Sequence, residues 1–139
     1  MPPLARYHIK TGLVYFAAAL LLGVLLAAQP VFALPPQIAA LRPVFLHLLI
    51  VGWVTQLIMG VVYWMFPKES KERPRGSPRL GWAVFLLLNG GLALRVIGEP
   101  LLIFQPGPAA GAALAVSAVL QTAAGWGFIA NTWARIKER

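Results

Sequence analysis

The chain has 139 residues, of which 59% are hydrophobic and only 12% are charged, with a mean hydropathy of +0.74. A soluble domain carries roughly twice that charged fraction, so this composition indicates an all-α polytopic membrane protein. The length allows one transmembrane domain, residues 1–139. With no cysteine in the sequence, disulfides, thiolate metal sites and thiol catalysis are excluded.

The net charge of +8 is unevenly placed along the chain. Most of the basic residues lie in the two terminal segments and one central segment: Arg6, Lys10, Lys68, Lys71, Arg73, Arg75, Arg79, Arg135, Lys137 and Arg139. If four helices cross the membrane, all three segments face the same side, which the positive-inside rule makes the cytoplasm. We therefore predict a bacterial or archaeal inner-membrane protein with both termini cytoplasmic. Its first partner is the lipid bilayer, and no nucleic-acid motif offers another reason for the charge.

Four apolar segments are long enough to span a bilayer of about 30 Å. They predict helices over residues 11–28, 44–66, 80–104 and 110–133. The first is too long for the apolar core of a signal peptide, so we expect it to remain as a span. Proline-rich or strongly charged segments connect the helices, and the prediction is a four-helix transmembrane bundle.

Small residues recur at spacings that allow two helices to approach closely. Gly52 and Gly60 flank Gln56 at intervals of four residues in the second helix. The fourth helix carries a longer series: Gly111, Ala115, Ala118 and Gly125. Such residues commonly mark contacts between membrane helices. Packing within this chain is the favoured interpretation, and an interface with another chain is the alternative.

Few polar residues interrupt the predicted spans. Gln56, Asn89 and Gln121 fall near mid-membrane, where interhelical hydrogen bonds are the favoured role and a polar lining for a cofactor or small molecule is the alternative. The hydroxyl residues carry less information, because they can bond to their own helix backbone. These are Thr55, Ser117 and Thr122.

Ionisable residues collect in the outer half of the predicted bundle. His47 lies near the outer end of the second helix, Arg95 and Glu99 can pair on one face of the third, and Arg42 marks the same side. Ionisable residues inside a membrane are functional-site candidates, although a structural ion pair is the alternative. His8 lies before the first predicted helix, nearly a membrane thickness from His47, and is predicted to be a solvated flanking residue.

Two stretches carry a resemblance to a known family. RPVFLHLLIVGW (42–53) followed by MGVVYWMFP (59–67) resembles the second helix of haem-copper oxidase subunit I, in the cytochrome c oxidase and nitric-oxide reductase branches. TGLVYFAAALLLGVLLA (11–27) is similar to the first helix of that subunit. The resemblance is best over residues 6–69, and the remainder looks like short four-helix proteins related to the same subunit.

The resemblance implies a cofactor. His47 matches the axial ligand of a low-spin haem in the family, which makes haem b the expected cofactor and His47 its iron ligand. Arg95 and Arg42 would pair with the propionates, and Glu99 belongs to the same cofactor-binding set. The family's copper-site histidines have no counterparts here. The expectation is a b-type haem membrane protein for electron transport or diatomic gas binding, and not an oxidase on its own.

The resemblance also implies an assembly. The large subunit contains three four-helix arcs, and this chain resembles one arc. A homotrimer would recreate a twelve-helix ring, whereas a homodimer could place two copies of His47 around one haem. The main alternative function is a haem-free accessory or structural subunit with a respiratory-chain partner. Transport or quinol binding at the outer cluster is a weaker alternative.

Overall fold

The computed structural model describes residues 1–136. This part of the chain is 84% helical and contains no strand, and four of its helices are long and apolar enough to cross a membrane. The predicted all-α four-helix membrane fold is thereby confirmed. Lys137 and Arg139, which belong to the basic C-terminal segment, lie outside the described residues.

All four helices begin earlier than the hydropathy of the sequence predicts. Helix α1 is Pro3–Val31, α2 covers residues 42–65 after 3₁₀ turns at Pro36–Leu41, α3 is Pro78–Phe104, and α4 is Pro108–Thr132, with a final 3₁₀ turn at Trp133–Arg135. The largest difference is the start of α1, predicted at residue 11. Leu4, Ala5 and His8 are buried, so tertiary packing stabilises two further turns that hydropathy alone does not reveal.

The middle of α2 is a π-helix, His47–Thr55, between the α-helical segments Arg42–Leu46 and Gln56–Met65. Five of the six buried positions of α2 recur every four residues: Val44, Leu48, Gly52, Gln56 and Gly60. In an α-helix each step of four residues rotates about 40° beyond a full turn, so this column would leave the packed face. A π-helix has more residues per turn, so a step of four residues falls short of a full turn there and offsets the overshoot of the flanking α-helical segments. The predicted helix over residues 44–66 is therefore present, with π-helical turns in its middle that the sequence pattern does not reveal.

Helices α1 and α2 pack through their small residues. A Cβ added to Gly52 would lie 2.8 Å from the Cβ of Tyr15, and one added to Gly60 would lie 3.0 Å from the Cβ of His8. A Cβ added to Gly12 of α1 would lie 3.3 Å from the Cβ of Gln56 on α2. The predicted packing role of Gly52 and Gly60, on either side of buried Gln56, is confirmed.

Helix α4 packs against α3 through a seam with a seven-residue repeat. Its buried members are Ala110, Ser117, Ala124 and Asn131. The small residues predicted to pack within the chain do not belong to this seam. Gly111, Ala115 and Ala118 are exposed, and nothing lies within 4 Å of a Cβ added to Gly111 or Gly125. The favoured interpretation of that series was wrong, because the seam takes the neighbouring face of the helix.

The beginnings of α1 and α3 and the ends of α2 and α4 lie at the same end of the bundle, which we call the basic end. A Cβ on Gly81, near the start of α3, would lie 2.8 Å from Leu4, 3.2 Å from Tyr63 and 3.6 Å from the Asn131 amide. These residues belong to the beginning of α1 and to the ends of α2 and α4. The opposite end, which contains the start of α2, is called the far end.

Candidate functional site

His47 opens the π-helical segment of α2 near the far end. Its Nδ1 lies 2.9 Å from the carbonyl oxygen of Pro43, one turn earlier. A carbonyl can only accept, so Nδ1 carries the hydrogen and donates it, and Nε2 keeps its lone pair. The same arrangement orients histidines that bind metals through the other nitrogen. Single π-helical turns are frequent at functional sites, although this segment also has the packing explanation given above.

The angular position of His47 on α2 follows from the four-residue column spacing. Leu46, Ile50 and Val54 form the exposed column, opposite the buried one. His47 is half-buried in the column between them, which continues with Val51. Val51 packs against the core cluster shared by α3 and α4. The His47 side chain therefore lies on the flank of α2 that faces α3, at the edge of the exposed surface.

Arg95 and Glu99 form the predicted ion pair on α3. The Arg95 Nη2 lies 3.0 Å from the Glu99 Oε1, and their side chains are 24% and 12% exposed. The Nε of Arg95 is buried and has no hydrogen-bond partner. One donor of this guanidinium thus remains available inside the apolar part of the bundle. Such an orphaned group is costly unless a ligand satisfies it.

The four predicted site residues share one end of the bundle but are not joined into a single network. Val96, next to Arg95, packs against the cluster of Val44 and Leu48 that flanks His47. Arg42 is exposed at the start of α2. Within residues 1–136 no hydrogen bond or ion pair connects His47 or Arg42 with the pair on α3, and no group of three or more metal-ligating side chains is present.

A second polar cluster lies in the middle of the bundle, and it includes His8, whose predicted position was wrong. His8, predicted to be a solvated flanking residue, is 2% exposed, and its Nδ1 lies 2.5 Å from the Gln56 Oε1. The Gln56 Nε2 donates to the Asn89 Oδ1 at 2.7 Å, and the Tyr15 hydroxyl donates to the same oxygen at 3.0 Å. The Asn89 amide then donates to the carbonyl of Phe85. This set, the central network, ties α1, α2 and α3 together.

The polar pair on α4 works differently from the prediction. Ser117, expected to bond to its own helix, donates from Oγ to the carbonyl of Gly91 on α3 at 2.6 Å. Gln121, expected to reach another helix, donates to that same Oγ at 2.9 Å. The serine is therefore the interhelical contact, and the glutamine orients it. Gly91 allows this, because a Cβ there would lie 3.0 Å from the Ser117 carbonyl oxygen.

Arg135, which the sequence analysis placed in a basic terminal segment, is fully buried at the basic end. Its guanidinium donates to the carbonyls of Pro67 at 3.0 Å, Phe66 at 2.8 Å and Tyr63 at 3.3 Å. Tyr63 belongs to the last turn of α2, and Phe66 and Pro67 follow it directly, where no intrahelical donors are available. The arginine thus caps α2 from the end of α4. Its Nη1 is buried without a partner.

Four apolar helices that bury amide, imidazole and guanidinium groups between them define a polytopic membrane protein. The chain matches the family described as Cytochrome C and Quinol oxidase polypeptide I over residues 4–139, and it belongs to that family. The resemblance to haem-copper oxidase subunit I is confirmed. Members of this family bind haem. No curated protein and no solved structure matches the chain.

One sequence signal could have located the central network. Leu4, His8, Gly12, Tyr15 and Ala19 recur at intervals of three or four residues and form one face of α1. Such a face, placed against small residues of α2, predicts a buried histidine. No comparable signal identifies Arg135, because its partners are backbone carbonyls that any sequence provides.

Proposed function

We propose that this chain binds a b-type haem at the far end of the bundle, with His47 as an axial ligand. The observation that carries the proposal is the hydrogen bond from the His47 Nδ1 to the Pro43 carbonyl. It fixes the tautomer in which Nε2 keeps the lone pair that iron requires. His8, the other histidine, is a poor candidate, because the cavity beside it measures about 10 Å³, room for a single water at most.

The charged residues near His47 suit the acidic edge of a haem. Arg95 offers a buried Nε with no partner, and a guanidinium is well matched to carboxylates. Glu99 would hold the Arg95 side chain in place through its ion pair. Arg42 is exposed at the same end and could neutralise a second propionate. These residues together fit the group.

A bound haem supplies reversible one-electron chemistry or an open position for a diatomic gas. The protein orients one imidazole and sets the local charge. The apolar side chains of α2 and α3 keep water away from the side of the imidazole that faces the bundle. Arg95 is the residue with the largest influence on that charge, because it is the partly buried cation in this half of the bundle. Electron transport is the role we favour.

A second protein copy would complete the site. His47 lies beside the exposed column of α2, which includes Leu46 and Ile50, so a group bound at its ring would extend beyond one chain. A homodimer could supply a second His47, and a homotrimer could build a twelve-helix ring. Native mass measurement in mild detergent distinguishes these assemblies. A monodisperse monomer that retains haem contradicts both.

The expected location is the inner membrane of a bacterium or archaeon, with the basic end in the cytoplasm. The basic residues described above support this orientation, because cytoplasmic loops carry an excess of Lys and Arg. A reporter fused to either terminus, assayed on both sides of the membrane, tests it. The far end, with His47, would then face outward, toward an external respiratory-chain partner.

The decisive experiment is a reduced-minus-oxidised absorption spectrum of the protein, purified after expression with haem supplied. The comparison uses two variants, His47→Ala and His8→Gln, which each remove one of the two imidazoles. A b-type signal that is present in the parent and in His8→Gln but absent from His47→Ala supports the proposal. A signal that survives in His47→Ala removes His47 as the ligand.

A haem-free accessory subunit of a respiratory complex is the second candidate. The exposed series of small residues on α4, including Gly111, Ala115 and Ala118, favours it, since a membrane helix with such a face can pack closely against another protein. A colourless protein that co-purifies with an oxidase supports this candidate. Substitution of Ala115 by Leu should then weaken the association without changing the fold of the chain.

A further inference from the structure

The basic end contains a cavity of about 250 Å³ beside the end of α2. Its lining residues are Trp64, Phe66, Lys68, Lys71, Pro74 and Arg75. Three of these are cationic and none is acidic, so the cavity favours an anion. Trp64 is 45% exposed at its rim, in a position typical of aromatic residues at the membrane–water boundary. We call this space the basic cavity.

The guanidinium of Arg135 strengthens the positive potential of this region. It lies behind Phe66, with Cζ 6.0 Å from the ring centroid, and its buried Nη1 has no hydrogen-bond partner. Arg75, which lines the basic cavity, and the carboxylate of Glu69 both lie within electrostatic reach of Arg135, with opposite charges.

An apolar groove adjoins the basic cavity, and Phe66 lines both. The groove measures about 310 Å³ and lies between α2 and the end of α4. Its lining includes Val62, Phe66, Phe128, Ile129, Trp133 and Ile136. Trp133 and Ile136 are exposed, so the groove opens to the surface of the bundle. Its apolar walls suit a hydrocarbon chain.

We propose that these two spaces form one binding site for an anionic phospholipid. The phosphate would occupy the basic cavity against Lys71 and Arg75, and an acyl chain would lie in the apolar groove on α4. Basic cavities at the ends of membrane helices recognise headgroups in this way. A free phosphate ion has no apolar part to fill the groove, and a neutral lipid has no net charge to pair with the cations. The adjacency of the two spaces at Phe66 is what favours an anionic lipid over either.

The test measures binding of phosphatidylglycerol to the detergent-purified protein by native mass spectrometry, in competition with phosphatidylcholine. The double variant Lys71→Gln/Arg75→Gln should bind phosphatidylglycerol about thirtyfold more weakly, from the loss of two interfacial charges. The matched control is Arg6→Gln/Lys10→Gln, which removes two charges from a separate cavity at the same end. It should lose no more than about threefold, through the weaker surface potential.

Several results would overturn the proposal. Equal losses in the two double variants would mean that diffuse charge attracts the lipid. Equal binding of phosphatidylcholine by the parent would remove the requirement for an anion. Displacement of the lipid by inorganic phosphate or glycerophosphoglycerol at the same concentration would identify an anion site without an acyl chain.

A separate variant tests the part of the site that would hold the acyl chain. It also tests the proposal if the Lys71→Gln/Arg75→Gln variant does not fold. Ile129→Trp fills the groove at a position that is 45% exposed, outside the packed core. It should weaken binding of phosphatidylglycerol severalfold while Lys71 and Arg75 remain. Unchanged binding in this variant overturns the assignment of the groove. Circular dichroism and size-exclusion chromatography confirm that each compared variant is folded.

Discussion

Replacing Arg135 should destabilise the bundle more than replacing any exposed arginine. The guanidinium donates to the carbonyls of Tyr63, Phe66 and Pro67 and is fully buried. Each hydrogen bond from a charged group contributes about 1.5–3 kcal/mol, so three would give about 4.5–9 kcal/mol. Burying the guanidinium costs several kcal/mol, and the unpartnered Nη1 adds to that cost. We expect a net loss of about 3 kcal/mol in the free energy of unfolding for Arg135→Gln.

The assay is unfolding in mild detergent by increasing sodium dodecyl sulfate, followed by far-ultraviolet circular dichroism. Arg79→Gln is the matched control, because Arg79 is exposed and the substitution removes the same charge, with an expected change within about 0.5 kcal/mol. Arg135→Lys should recover only part of the loss, since an ammonium cannot present a planar fork to several carbonyls. If Arg135→Gln proves as mild as Arg79→Gln, the capping role of Arg135 is refuted.

Three further predictions concern the far end and the middle of the bundle. Arg95→Gln should lower the haem midpoint potential by roughly 60 mV in a redox titration, because loss of a cation favours the more positive ferric state. An unchanged potential would show that Arg95 does not lie near the haem. Gln56→Leu and Asn89→Leu should show a coupling energy of about 1 kcal/mol in a double-mutant cycle of unfolding. If their effects on the free energy of unfolding are strictly additive, the hydrogen bond between the two side chains is contradicted. Gly91→Ala should destabilise the bundle by about 1–3 kcal/mol, because the added methyl group forces α4 away from α3. Gly90→Ala is the control, since a Cβ there would meet no atom within 4 Å, and equal effects of the two substitutions on thermal unfolding would refute the packing argument.

The features that could be predicted from the sequence are those with a strong periodic or compositional signal. Long apolar segments specify membrane helices, because the backbone must satisfy its own hydrogen bonds in lipid. The pairing of Arg95 with Glu99 follows from their spacing of four residues on one helix. The close packing of α2 at Gly52 and Gly60 follows from the spacing of these glycines, four residues on either side of Gln56. Each of these depends only on residues close together in the sequence.

The features that were missed depend on contacts between distant parts of the chain. His8 looked like a flanking residue because its partner, Gln56, is 48 residues away. Arg135 looked like a topology signal because basic residues near helix ends usually are one. The small residues of α4 looked like a packing face, but the seven-residue seam beginning at Ala110 is also composed of small or polar residues. Composition alone cannot choose between two such faces of one helix.

The two histidines of the chain show how the fold separates a structural role from a binding role. His8 is buried in the central network, and the narrow space around it leaves no access for a larger group. His47 satisfies one nitrogen within its own helix and lies at the edge of an exposed surface. The π-helical turns of α2 produce that difference, because they keep Gln56 on the buried column while His47 stays on the flank toward α3. A continuous α-helix would rotate His47 relative to Gln56 and could not hold both positions. Restoring α-helical turns in α2 by deleting Val51 should therefore disturb His47 and the central network together.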